Sequence, residues 1–166
     1  SWEPELFREH LQRRAPDLVV LAYGTNAVGD KRDPIDAYER RIERVVKRVR
    51  TITPRSSCLL IGPSDRPVKV APPKGEEWPE DEPRQFYARA RQPELIAAQK
   101  RVAFRQGCGY WDMAAAMGGA MSMLRWVHSE PRLGARDYIH LTRDGYTRLG
   151  ELFYQALMAS YTPKNP

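Results

Sequence analysis

Short apolar runs alternate with longer amphipathic segments along this chain of 166 residues. The run 18–22 holds apolar residues without a polar interruption, which predicts a strand covered on both faces. In the segment 35–51 the apolar residues recur every three or four positions, which predicts a helix with one buried face. Strands that alternate with helices indicate an α/β domain with a parallel sheet. The sequence predicts strands at 18–22, 58–62 and 108–112 and helices at 4–14, 35–51, 93–105, within 113–126 and from 142 onward.

A stretch rich in Pro, Glu and Lys occupies residues 64–91. The alternation of strands and helices resumes after it, so it is interpreted as a long surface loop inside one domain that spans residues 1–166. Trp78, Phe86 and Tyr87 are expected to be exposed there, either offering stacking faces to a sugar ring or pinning the loop. Three strands make a smaller sheet than the usual four to six, so further strands are expected to complete it.

Composition and charge exclude some classes of protein. Charged residues make up 29% and hydrophobic residues 42%, as in an ordinary globular domain, and no apolar run is long enough for a membrane span. The formal charge of +6 could attract anionic partners, but the basic residues are mixed with acids over the helix faces, so a nucleic-acid surface is not expected. Cys58 and Cys108 lie in apolar, strand-like contexts and are predicted to be buried free thiols.

Candidate chemistry first occurs in the loop 23–26, directly after the first predicted strand. In open α/β sheets, functional groups gather beyond the carboxyl ends of the strands. Gly24 allows close backbone approach, and Asn26 supplies an amide donor that could stabilise an oxyanion. Gly and Asn are also the residues that ordinary turns favour, so a plain turn is the alternative.

A second candidate lies just before the last predicted helix, where Asp137 precedes His140 by three residues. At this spacing the carboxylate can accept a hydrogen bond from Nδ1 of the imidazole and leave Nε2 free to take a proton from a nucleophile. The alternatives are a metal pair and a histidine that its neighbour simply satisfies. A metal would need a third ligand, and His10 and His128 have ordinary contexts, so neither a metal nor a cofactor is expected.

Together the two loops resemble sequence blocks of the SGNH (GDSL-type) hydrolases, from about residue 18 to the C-terminus. The segment DLVVLAYGTN (17–26) resembles the third block of that family, whose Asn donates to the oxyanion hole. DYIHLTRDGY (137–146) resembles the fifth block, which carries the Asp and His of the catalytic triad. The resemblance implies an ester hydrolase with His140 as base, Asp137 as its orienting carboxylate and Asn26 at the oxyanion hole. Gly24, which precedes Asn26 in the same block, is expected to belong to the catalytic site. It also implies a three-layer α/β/α, flavodoxin-like fold with a parallel sheet, here lacking the first two strands.

The chain departs from the family at the nucleophile and at the oxyanion-hole glycine that follows the family's second strand, because neither block occurs in this sequence. The family's serine lies in a Gly-Asp-Ser block, and none of the serines in this sequence has that context. The resemblance therefore implies that the serine comes from an N-terminal segment or a second chain, which would also cover the open edge of the strand 18–22. This chain alone is expected to be inactive unless that block is supplied. The alternative is a non-catalytic binding module that keeps the fold and lacks the nucleophile.

The expected substrate depends on a further resemblance. The segment YWDMAAAMGG (110–119) resembles a stretch of bacterial SGNH esterases that deacetylate peptidoglycan and other glycans. It implies a carbohydrate or peptidoglycan O-acetylesterase that acts on an acylated carbohydrate or a small ester, in the periplasm or outside the cell. Thr25, Gly118, Gly119 and Trp126 are the expected substrate-binding residues, although Met and Ala at helical spacing are more often part of a core.

Overall fold

In the computed structural model, which describes residues 4–30, 32–79 and 82–159, helices and strands follow the apolar spacing of the sequence. The helices are α1 (Pro4–Arg14), α2 (Ile35–Ile52), α3 (Arg91–Arg105), α4 (Met113–Met117), α5 (Ser122–Val127) and α6 (Arg143–Met158). The strands are β1 (Leu18–Ala22), β2 (Ser57–Ile61), β3 (Val68–Lys69), β4 (Phe86–Tyr87) and β5 (Gly109–Trp111). Among the described residues, no helix is both long and apolar enough to cross a bilayer.

Backbone contacts divide the chain into two compact units. Unit 1 comprises Ser1–Pro63 and Ala90–Asp112, and unit 2 comprises Ser64–Arg89 and Met113–Pro166. The expectation of a single domain over residues 1–166 stays a prediction.

A parallel sheet in the order β1-β2-β5 forms the centre of unit 1. Cys58 and Leu60, on one face of the central strand β2, share a hydrophobic core with residues of α2 and α3. The helices contribute their buried stripes to this core, and Val46 and Leu95 are 1% and 0% exposed. Parallel strands joined by helices confirm the predicted α/β class.

The edge strand β1 differs from its prediction. Val19 is 9% exposed, whereas Leu18 and Val20 are 38% and 41% exposed. Because alternate residues of a strand point to opposite faces, the described residues bury one face of β1 and leave the other open. The prediction of cover on both faces is therefore wrong for β1 within the described residues. An uninterrupted apolar run indicates that a strand could be buried on both faces. Here the described residues cover only the face of β1 that carries Val19.

Cys58 and Cys108 form a disulfide, so the prediction of free thiols is wrong. The register of β2 and β5 pairs Leu59 with Gly109, which sets the two cysteines opposite each other one residue earlier. Their Cα atoms are 4.8 Å apart, within the range that a disulfide requires. The local context of each cysteine favoured burial, but pairing depends on which strands are neighbours.

Unit 2 contains the hairpin β3–β4 and a core to which α4 and α5 contribute. Phe86 of β4 is 4% exposed and packs on Tyr138, with ring centroids 4.4 Å apart. Tyr87, the next residue, is 55% exposed. The interpretation of the segment 64–91 as a surface loop with an exposed Phe86 is therefore wrong at that residue, because the hairpin anchors the segment in the core.

Candidate active site

The loop after β1 presents Asn26 at the surface of unit 1. Gly24 has a φ of +113°, a conformation that side chains with a Cβ rarely adopt, and its carbonyl accepts a hydrogen bond from the Val28 N–H at 2.9 Å. Asn26 precedes a 3₁₀ turn, Ala27–Gly29, yet its side chain does not cap that turn. The side-chain amide of Asn26 therefore does not satisfy the backbone of its own turn, and the choice between a plain turn and an oxyanion donor stays a prediction.

A buried amide lies against this loop. Gln99 of α3 is 1% exposed, and its Nε2 donates to the Tyr23 carbonyl at 2.9 Å and to the Tyr38 hydroxyl at 2.7 Å. The Tyr110 hydroxyl donates to Oε1 of the same amide at 3.3 Å. Burial raises the pKa of Tyr38 to about 12, although the hydrogen bond to Gln99 opposes that rise. Burial also raises the pKa of Tyr110, so both phenols are neutral near pH 7.

Asp137 and His140 form a hydrogen-bonded pair in unit 2. Asp137 Oδ2 and His140 Nδ1 are 2.6 Å apart, while Oδ1 accepts the backbone N–H groups of Ile139 and His140, both at 2.9 Å. Desolvation acts to raise the pKa of Asp137, but the bonds from the His140 ring and from both backbone groups lower it to about 2. The carboxylate is therefore charged and holds the imidazole, which is 70% exposed and has no other ring hydrogen bond among the described residues.

The backbone of this turn is held by the core of unit 2. Tyr138 has a φ of +57°, in the left-handed region that disfavours residues with a Cβ. Its side chain is 6% exposed and packs against Phe86, so burial offsets the cost of the conformation. The Ala135 N–H donates to the His140 carbonyl at 2.8 Å. The backbone that carries Asp137 and His140 is therefore held by the packing of Tyr138 and by the hydrogen bond at the His140 carbonyl, although the pair itself lies at the surface.

The first turn of α6 closes the other side of the His140 loop. Thr142 caps the helix, since its Oγ1 accepts the Gly145 N–H at 3.1 Å. The Leu133 carbonyl accepts the Thr142 N–H at 2.9 Å. A Cβ at Gly145 would lie 1.9 Å from that carbonyl oxygen, so only glycine fits at this position.

The predicted substrate-binding residues of unit 2 have structural contacts of their own. Gly118 and Gly119, with φ of 110° and 82°, follow the end of α4, where the Gly119 N–H donates to the Ala114 carbonyl at 2.8 Å. Trp126 is 8% exposed, and its Nε1 donates to the Met117 carbonyl at 3.0 Å. Trp126 thus belongs to the core of unit 2. The assignment of these three residues to substrate binding stays a prediction.

Within each unit the structure brings predicted residues together. Gly24, Thr25 and Asn26 form one loop of unit 1, and Asp137 and His140 form one hydrogen-bonded pair of unit 2. Their catalytic roles, and the role of Thr25 in substrate binding, stay predictions. In the described part of the chain, no three His, Cys, Asp or Glu side chains are grouped so that they could hold a metal ion.

Sequence reasoning missed two buried polar residues. Gln99 lies at helical spacing between buried apolar residues of α3, and a polar residue inside such a stripe is the signal that could have found it. Asp65 is 2% exposed, and its Oδ2 accepts the Met123 N–H at 2.9 Å. Burial raises the pKa of Asp65. Nothing in the sequence around Asp65 indicates this contact, which joins segments 58 residues apart.

The sequence matches the GDSL-like lipase/acylhydrolase family over residues 2–148, and the chain therefore belongs to this family. A peptidoglycan O-acetylesterase structure is similar to it, with 26% identity and a TM-score of 0.77, over 92% of this chain and 40% of that one. An acetyl xylan esterase structure is 18% identical, with a TM-score of 0.61, over 92% of this chain and 73% of that one.

The periplasmic domain of a lipopolysaccharide acetyltransferase from Salmonella ser. Paratyphi A is 15% identical, with a TM-score of 0.60, over 93% of this chain and 61% of that one. At such low identities, the likeness to the acetyltransferase and to the xylan esterase shows only that the fold is similar. No curated protein sequence matches the chain significantly. The chain spans less than half of the peptidoglycan O-acetylesterase structure.

Proposed function

We propose that the protein is a serine ester hydrolase and, more narrowly, a carbohydrate or peptidoglycan O-acetylesterase. The Asp137–His140 pair carries this proposal. A carboxylate at 2.6 Å from Nδ1 fixes the tautomer of the ring and leaves Nε2 to accept a proton. Membership of the lipase/acylhydrolase family supports the assignment, because a carboxylate-held imidazole is the base that an acyl-serine mechanism requires.

In the proposed reaction His140 Nε2 takes the proton from a serine hydroxyl as its oxygen attacks the ester carbonyl. The tetrahedral intermediate collapses when His140 returns that proton to the leaving alcohol, and an acyl-serine remains. Water then attacks the acyl group in the same way and releases the carboxylic acid and the free serine. Asp137 stays ionised throughout and stabilises the imidazolium that forms in each half-reaction.

Asn26 and Gly24 stabilise the oxyanion in this proposal. The exposed Asn26 amide makes no capping bond, so its N–H groups are available to the oxygen of the tetrahedral intermediate. The backbone N–H of Gly24 is the second proposed donor. Removal of one oxyanion donor costs about 100- to 1,000-fold in kcat in enzymes of this kind.

The nucleophilic serine is proposed to come from an N-terminal segment or a second chain that pairs with β1. Among the described residues of unit 2, the His140 ring is bonded to Asp137 and to no serine. Among the described residues β1 pairs only with β2, so its other edge is open to a further strand. The carboxyl end of a parallel strand added there would lie beside the loop that holds Asn26.

An O-acetylated carbohydrate is the proposed substrate. The likeness to a peptidoglycan O-acetylesterase structure supports it, and so does the net charge of +6, which suits an anionic polymer. A small ester is the second candidate. Release of acetate from O-acetylated peptidoglycan, compared with turnover of a soluble phenyl acetate, distinguishes the two.

The central test replaces His140 in the protein expressed from its complete reading frame. His140→Ala is expected to lower kcat for an acetyl ester by at least about 10,000-fold, with the thermal midpoint almost unchanged. His10→Ala, at an exposed histidine of α1, is the matched control and should keep full activity. Turnover retained in His140→Ala would remove this residue from the mechanism.

Labelling with a fluorophosphonate identifies the nucleophile and tests the non-catalytic alternative. Mass spectrometry of the labelled protein should find the adduct on a serine outside residues 1–166, and His140→Ala should abolish it. An adduct on a serine of this chain would contradict the proposed origin of the nucleophile. Absence of both labelling and turnover in the complete protein would leave the binding module as the function.

A further inference from the structure

We propose that Gln99 is the positioning residue that holds the Asn26 loop in its active conformation. This inference rests on the proposed function, in which Asn26 is an oxyanion donor. Gln99 is placed on α3, 73 residues along the chain from Asn26, and would act through the backbone of the loop rather than by touching the substrate. Three observations on the Gln99 amide support it.

The first observation is that the Gln99 amide uses both of its N–H groups. One donates to the Tyr23 carbonyl at 2.9 Å and the other to the Tyr38 hydroxyl at 2.7 Å, while Oε1 accepts from Tyr110 at 3.3 Å. A primary amide has two donor hydrogens, so none is left unsatisfied. The side chain therefore has one orientation that satisfies all three partners.

The second observation links that orientation to the loop. Tyr23 directly precedes Gly24, so a fixed Tyr23 carbonyl also fixes the peptide plane that enters Gly24. A Cβ at Gly24 would lie 3.0 Å from Gln99 Nε2 and 3.1 Å from the Tyr38 hydroxyl. The loop backbone at Gly24 is thus in close contact with the Gln99 amide, and Asn26 follows Gly24 by two residues.

The third observation is that the same amide lies beside residues of all three parallel strands or of the loops that follow them. Tyr23 follows β1, Tyr110 belongs to β5, and Gly62 follows β2. A Cβ at Gly62 would lie 2.1 Å from the Tyr110 hydroxyl oxygen and 3.5 Å from Gln99 Oε1. Gln99 therefore bonds the end of β1 to Tyr110 of β5 and lies close to Gly62, at the edge of the sheet where functional groups are expected.

Packing alone does not explain a glutamine at this position. Its helical neighbours in the same core, Leu95 and Val102, are both 0% exposed and apolar. A methionine would fill a similar volume without the cost of burying a polar group. The amide is therefore useful for the bonds that it makes, and the bond to the Tyr23 carbonyl is the one that reaches the loop.

The test compares Gln99→Met with Gln106→Met in the protein expressed from its complete reading frame. Gln106 lies at the end of the same helix, and its amide bonds Glu43 at 3.0 Å, so it is a matched control. Gln99→Met is expected to lower kcat for an acetyl ester by about 10- to 100-fold with KM within twofold, because a misplaced donor affects the transition state. Gln106→Met should leave both constants unchanged.

A double-mutant cycle with Asn26→Ala then distinguishes the inference from the proposed function. If Gln99 acts through Asn26, adding Gln99→Met to Asn26→Ala should cost less than about threefold further. A full effect of Asn26→Ala with an additive effect of Gln99→Met overturns this inference alone. No effect of Asn26→Ala overturns the oxyanion role on which it rests. If Gln99→Met does not fold, Tyr38→Phe replaces it in the same cycle, and coupling or additivity decides as before.

Discussion

Replacing Gly145 by alanine tests how tightly the His140 loop is anchored. The added Cβ would lie 1.9 Å from the Leu133 carbonyl oxygen and 2.8 Å from its carbon, and real Cβ contacts are essentially never shorter than 3.0 Å. The backbone must therefore move by about 1 Å. The two Leu133 atoms that the added Cβ would meet belong to the main chain, so no side-chain rotation relieves the clash. The shift would also disturb the Leu133 carbonyl, which accepts the Thr142 N–H at 2.9 Å.

The expected loss can be worked from these contacts. Overpacking costs about 1–3 kcal/mol, and loss of the Thr142–Leu133 hydrogen bond adds about 1 kcal/mol. The higher helix propensity of alanine returns up to about 1 kcal/mol. The net decrease in the free energy of unfolding should be about 1–4 kcal/mol, which corresponds to a melting temperature lower by about 2–16 °C in a chain of this size.

Thermal and urea denaturation, followed by circular dichroism, measure this loss. The matched control is Gly150→Ala in the same helix, where a Cβ meets nothing within 4 Å and should leave stability unchanged or raise it slightly. Because His140 lies just before α6, Gly145→Ala should also lower kcat, and a displacement of about 1 Å can cost about 100-fold. Equal stability of the two variants would refute the close approach of the Gly145 and Leu133 backbones.

Two further predictions concern the disulfide and the Asp137–His140 pair. Cys58→Ala and Cys108→Ala should each lower the free energy of unfolding by about 2–4 kcal/mol, as expected for a loop of 50 residues. Denaturation of the double variant should give the same value, and additive losses would contradict the bond. Asp137, whose pKa is lowered from 3.8 to about 2, should add stability that is constant above pH 5 and is lost as the pH falls from about 4 to about 2. A pH series of unfolding measurements against Asp137→Asn checks this, and a difference that disappears above pH 5 would contradict it.

Local sequence patterns were sufficient to predict those features of the fold and the site that depend on residues close together in the chain. The spacing of Asp137 and His140 predicted their hydrogen bond, because three residues are enough for the carboxylate to turn back on the ring. The amphipathic stripe of α2 predicted its buried face for the same reason. The resemblance of both loops to the family blocks agreed with the family match.

Features that depend on which segments become neighbours were beyond the sequence. The pairing of Cys58 with Cys108 requires β2 and β5 to be adjacent, and neither cysteine's surroundings contain that information. The same holds for Gln99, whose three partners come from three separate segments. Phe86 was expected at the surface because proline and charge dominate its segment. Two antiparallel strands of only two residues each, β3 and β4, are nevertheless enough to bury its ring.

The position of the disulfide has a practical consequence for enzymology. It joins the amino ends of β2 and β5, whereas Gly62 and the Asn26 loop follow the carboxyl ends of their strands. At about 3.3 Å per residue, Cys58 and Gly62 are separated by about 13 Å along the strand. Dithiothreitol in an assay buffer would therefore weaken the sheet at the end opposite the Asn26 loop, and a slow loss of any activity in its presence would be expected to follow unfolding. Samples for kinetics are best produced in an oxidising compartment and kept free of reductant.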